Sequence, residues 1–168
     1  MGRIGGFEGI TLITVIFVIG LGTGGAGAQS TSQADIATRF IGTWRLVSIE
    51  VKGQGDPNRG AHPTGLIYYD AAGNMAAQIM PDRPRPKYTG SQPTPEEAKT
   101  ALMGYTAYFG TYSIDERSRT VTHHRKGCVN PGLVGVDAVR RYEFASGGCL
   151  ILTPVENPTR RLTWERIK

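Results

Sequence analysis

At 168 residues with 39% hydrophobic side chains, the chain can bury one core but not two, and its composition is not that of a disordered segment. Nineteen Lys and Arg against 14 Asp and Glu leave a net charge of +5, yet the one basic cluster, "PDRPRPK" at 81–87, is proline-rich and lacks interleaved aromatics, so nucleic-acid binding is not expected. Three histidines without an H-x-H spacing and two cysteines imply no metal site, and no phosphate-loop or nucleophile motif implies a cofactor or a covalent mechanism.

In chain order, Arg3 precedes the apolar run "ITLITVIFVIGL" at 10–21, and Ala26-Gly27-Ala28 supplies an A-x-A cleavage site. This pattern reads as a secretory signal peptide cut after Ala28, because a membrane-spanning helix needs about 20 apolar residues. Glu8 weakens the basic end of the leader, and an uncleaved anchor is the alternative; no cysteine follows the site to take a lipid. Loss of Arg3 and Glu8 together leaves the charge unchanged. Residues 29–168 then form one secreted or periplasmic domain.

Behind a polar lead-in, "QSTSQADIATRF", eight β-branched and aromatic runs separated by Gly, Pro and Asp predict strands at 42–51, 65–70, 74–80, 108–114, 119–126, 138–144, 149–153 and 161–167. One helix, "TPEEAKTALMGY", falls between the third and fourth strands, with a threonine cap, a first-turn proline and two glutamates at its positive end. Connection lengths alternate: "AAG", "DERS" and "ASGG" are tight, whereas 52–64, 81–107, 127–137 and 154–160 are long. An antiparallel meander places all tight turns at one end and all long segments at the other. The predicted fold is therefore all-β, an eight-stranded antiparallel up-and-down barrel with a closed floor and a loop-rimmed mouth.

In "RTVTHHRKGC", alternation sends His123 and His124 to opposite faces, so the two cannot share one ion or substrate. Thr120, Thr122, His124 and Lys126 make a polar outer face, and Val121, His123 and Arg125 look inward. Pairing Ile114 with Arg119 across "DERS" sets Tyr112 opposite Val121, Gly110 opposite His123 and Tyr108 opposite Arg125. The candidate pocket joins His123, Tyr108, Tyr112, Arg140 and Tyr68 around an oxygen-bearing group, with Leu46, Leu66, Val121 and Phe144 around an apolar body. Glu50, assigned to the face of Trp44, is the candidate ion-pair partner of Arg140. His62, in the first long loop, is a candidate rim residue. Cys128 and Cys149 fall at opposite ends of the meander, roughly 17–20 Å apart, too far for a disulfide.

"GTW" at Gly42–Trp44 resembles the G-x-W signature of lipocalins, and Arg166 in "TWER" matches the arginine that closes the barrel against that tryptophan. The ordered set "GTWRLVS", "GLIYYDAAGNM", "YFGTYSID", "VTHH", "NPGLVG", "VRRYEF", "LILTP" and "LTWER" resembles the bacterial and fungal lipocalin-like domain proteins. The resemblance implies a calycin-type barrel but no activity, as most members have none assigned. The first functional expectation is an exported binder of a small amphipathic or apolar molecule. A cofactor-independent isomerase or cyclase using His123 as acid or base is the second, and a structural barrel with a filled interior is the third.

Overall fold

The structure, a computed structural model, describes residues 35–168; the predicted leader at 1–28 lies outside the described residues. It opens with a helical segment, α1, at 35–40. All eight predicted strands form, as β1 (Gly42–Val51), β3 (Thr64–Tyr69), β4 (Asn74–Met80), β5 (Thr106–Asp115), β6 (Thr120–Cys128), β7 (Asp137–Phe144), β8 (Cys149–Pro154) and β9 (Arg160–Arg166). A two-residue strand, β2 (Gln54–Gly55), folds back on the end of β1, so the predicted helix, α2 (Pro95–Leu102), lies between β4 and β5. Thr94 caps α2, as its sequence predicts, and the Glu97 side chain caps it in return.

β1 pairs antiparallel with β3, from β3 to β9 each strand pairs antiparallel with the next, and β1 also pairs with β9, from Trp44↔Arg166 to Val51↔Arg160. That last pairing rolls the sheet into a closed barrel and leaves its eight long strands without a free edge. The tight turns gather at one end and the long connections at the other, as the meander requires.

Two irregularities set which side chains face inward. On β1, Val47 is an extra residue between the pairs Leu46↔Trp164 and Ser48↔Thr163, and it is exposed. A bulge shifts the alternation by one, so Ile49 resumes the inward face and Glu50 turns out against Arg161. Glu50 therefore does not share the face of Trp44, contrary to the sequence expectation.

The second irregularity lies in the β5–β6 hairpin. The Asp115 carboxylate accepts the backbone N–H groups of Arg117 and Ser118, so Asp115 stays on the strand opposite Thr120 and the turn takes 116–119, with Arg119 at φ 53°. The register is thus displaced by two residues from the prediction: Ile114 faces Val121, Tyr112 faces His123 and Gly110 faces Arg125. An even displacement keeps each residue on its predicted face. A bulge at Lys126 then sets Tyr108 opposite Cys128, and Gly110 leaves room for the bulged β6 backbone, since a Cβ there would run into the His124 carbonyl oxygen.

The closed end is plugged by α1, which the polar lead-in did not announce. Phe40 is fully buried and stands edge-on to Tyr69, Tyr142 and Phe144, with ring centroids 5.3, 5.1 and 5.1 Å away. The Trp44 indole N–H donates to the Phe40 carbonyl at 2.9 Å. Arg166 lies 4.1 Å over the Trp44 ring and donates to the carbonyls of Arg39 and Ile41. One guanidinium thus covers the indole and satisfies carbonyls left open at the end of α1. Gly42 has φ 134° and a Cβ there would run into Arg166 Nη1, which explains the glycine of the G-x-W triplet.

Candidate functional site

A cavity of about 450 Å³ opens among the long connections, at the end away from Trp44. Its wall is divided. Tyr108 from β5, His123 and Arg125 from β6 and Arg140 from β7 form a continuous polar arc; Ile67, Ala77, Ile79, Leu152, Leu162 and Trp164 from β3, β4, β8 and β9 form an apolar arc facing it. A larger groove of about 560 Å³ between α2 and residues 85–88 lies outside the barrel and is lined by exposed or half-exposed side chains.

His123 is almost fully buried, and both ring nitrogens are engaged: Nε2 lies 2.8 Å from the Tyr69 hydroxyl and Nδ1 lies 2.9 Å from that of Tyr108. Burial, followed by the charges of Arg140 and Arg125, lowers its pKa to about 3, so the imidazole is neutral. Burial raises both phenols, so both tyrosines stay protonated.

The tautomer follows from satisfaction of donors. The fully buried Tyr69 hydroxyl has His123 as its one hydrogen-bond partner among the described residues, and a buried O–H left without an acceptor is costly. Tyr69 therefore donates to Nε2, and Nδ1–H donates to Tyr108. Long-range ¹H–¹⁵N correlation spectra of histidine-labelled protein are expected to show His123 protonated at Nδ1 alone from pH 8 to pH 5. An imidazolium at pH 6 would contradict this arrangement.

Around the mouth, Asp56 is 3% exposed and organises the rim. Its carboxylate lies 2.6 Å from Arg160 Nη2 and 3.5 Å from Arg59 Nε and accepts the Asn58 backbone N–H at 2.9 Å. Arg59 also donates to the Gly104 carbonyl and the Thr106 hydroxyl, tying the 52–63 connection to the start of β5. Burial lowers the pKa of Arg59. Arg140 pairs with the exposed Glu156 at 2.8 Å, not with Glu50. The Trp164 indole N–H is buried without a hydrogen-bond partner among the described residues.

Of the predicted site residues, the structure brings together His123, Tyr108 and Arg140. Tyr68 instead projects outward, 43% exposed, with Leu66 beside it, because β3 turns Ile67 and Tyr69 inward. Tyr112 belongs to the floor: its hydroxyl donates to the Asp70 carbonyl and its ring packs on Tyr69 and Phe40. Leu46, Val121 and Phe144 pack in the core and do not line the cavity. His62 is exposed, and its backbone N–H donates to Asp82. His124 faces outward between Ser113 and Asp137. Cys128, at the cavity wall, and Cys149 are both free thiols.

Sequence reasoning missed Tyr69, Phe40, Trp164 as a cavity wall and the Asp56–Arg59–Arg160 cluster. It placed Arg125 on the inward face without assigning it to the pocket. Tyr69 had a visible signal in the adjacent pair Tyr68-Tyr69, of which one had to point inward.

No curated protein matches the chain. The sequence profile described as lipocalin-like domain matches residues 41–167, from just before the Gly42–Trp44 triplet to just past Arg166. The matched span is the closed barrel itself, sealed where Arg166 covers Trp44, and the chain belongs to the lipocalin-like domain family.

Proposed function

We propose that the chain is an exported carrier that holds a small amphipathic molecule in the mouth of its barrel. The observation that carries this reading is the divided cavity of about 450 Å³, a size and a mixture of surfaces suited to one small ligand. The same cavity weighs against a structural barrel with a filled interior. The predicted leader ending at Ala28 supports export, and among the described residues no helix is long and apolar enough to cross a membrane.

An isomerase or cyclase would need a histidine that exchanges protons near neutral pH. His123 is a poor candidate: both its nitrogens are held by tyrosines and its pKa is far below that range. The geometry favours a role in presenting the Tyr108 hydroxyl to the cavity.

Native mass spectrometry of protein purified from its own host tests both parts of the reading. The expected result is a polypeptide beginning at Gln29 that carries a small molecule released on denaturation. Repeated preparations without added mass, together with no thermal shift from host extracts, would overturn the carrier reading. A retained residue 1 would overturn cleavage of the leader.

A further inference from the structure

We propose that the cavity selects amphipathic organic acids, with the carboxylate held by Arg125, Arg140 and the hydroxyl of Tyr108; this rests on the binding reading above. Four guanidinium groups line the cavity, those of Arg59, Arg125, Arg140 and Arg160. Arg59 and Arg160 share Asp56, and Arg140 is paired with Glu156 at the rim. Arg125 makes no ion pair among the described residues: its Nε donates to the Val136 carbonyl at 2.7 Å, and its guanidinium carbon stands 5.9 Å from the centre of the Tyr108 ring. The polar arc therefore carries one spare positive charge, that of Arg125, and Arg59 and Arg160, sharing a single carboxylate, add a second at the rim, so the cavity favours an anionic ligand.

The donors fit the same group. Tyr108 accepts a hydrogen bond from His123, which in turn accepts from Tyr69, so the Tyr108 O–H is left to donate to a ligand at the cavity wall. A carboxylate offers about four lone-pair sites and takes a guanidinium in a two-point contact, which a phenol O–H can supplement. The apolar arc accommodates the hydrocarbon body opposite. A neutral alcohol of equal length would fill the same space without meeting the spare charge.

Calorimetric titration of the full domain with octanoate and octan-1-ol at pH 7.5 separates these cases. Octanoate is expected to bind at least about tenfold more tightly than octan-1-ol, against the order of their apolarity. In a Cys149→Ser background, octanoate is also expected to slow alkylation of Cys128 by iodoacetamide, which places the acid in the cavity and not in the groove beside α2. The double variant Arg125→Gln, Arg140→Met should bring the ratio of the two affinities close to one. Because that variant alters the cavity wall, Glu156→Gln provides a second measure: it removes an exposed competitor for Arg140 and should raise the ratio about threefold. Equal binding of acid and alcohol, or a ratio unmoved by both sets of variants, would overturn the acid selectivity while leaving the carrier reading intact. Binding of neither probe would overturn both.

Discussion

Phe40→Ala is expected to lower the unfolding free energy by about 3–5 kcal/mol, as judged by the urea midpoint at an unchanged slope. The side chain is fully buried, and its ring is edge-on to three others, so truncation removes both transfer free energy and packing that the rigid barrel end cannot collapse to recover. A loss of that size is a large share of the 5–15 kcal/mol by which single domains are typically stable. Phe40→Leu keeps most of the apolar volume and should cost less. A midpoint for Phe40→Ala equal to that of the parent would mean that α1 is not part of the folded core.

Acidification is expected to produce the second large effect. A histidine held down to about 3 in the folded barrel returns to about 6.5 on unfolding, so in this interval the unfolded chain binds a proton that the native state refuses. Stability from this group is complete above about pH 6.5 and is lost as the pH falls towards 3. Between pH 6.5 and 4.5 the loss amounts to roughly 2 kcal/mol. Asp70, Glu97 and Asp115, whose pKa values are lowered by hydrogen bonds, also lose stabilisation in acid, but below the ordinary carboxylate range of 3.8 to 4.5. His123→Gln can accept from Tyr69 and donate to Tyr108 without a titrating nitrogen, and it should flatten the dependence between pH 6.5 and 4.5. An equal slope in parent and variant would assign the acid sensitivity elsewhere.

The strands, their order and the closed end were legible because each depends on local chemistry: β-branched runs, turn residues and the lengths between them; the Trp44–Arg166 pair was legible only through the resemblance to lipocalins. The faces were legible only where polarity alternates. In "TVTHHRK" the apolar Val121 between two threonines sets the alternation that places His123 and Arg125 inward, and both are at the cavity. In "LIYY" every residue is apolar or aromatic, so the adjacent pair shows that one tyrosine points inward but not which, and the structure turns Tyr69 inward in place of Tyr68. Val47 broke the counting on β1 because a bulge leaves no mark in an apolar sequence, which is why Glu50 was assigned inward. Asp56 and Arg59 sit three residues apart in the first long connection, but Arg160 opens β9 and reaches them only when the barrel is closed. Such a cluster has no spacing to read.

The contact between Arg166 and the Arg39 carbonyl spans 127 positions. A seam joining the beginning of the domain to its end cannot form on a nascent chain that is still emerging, so the cylinder is completed only after synthesis has almost finished. Native contacts of such long range make assembly slow relative to helical proteins of the same size. Under the export reading proposed above, this delay is an advantage: a chain that stays open until its final strand arrives remains competent for threading across a membrane in extended form.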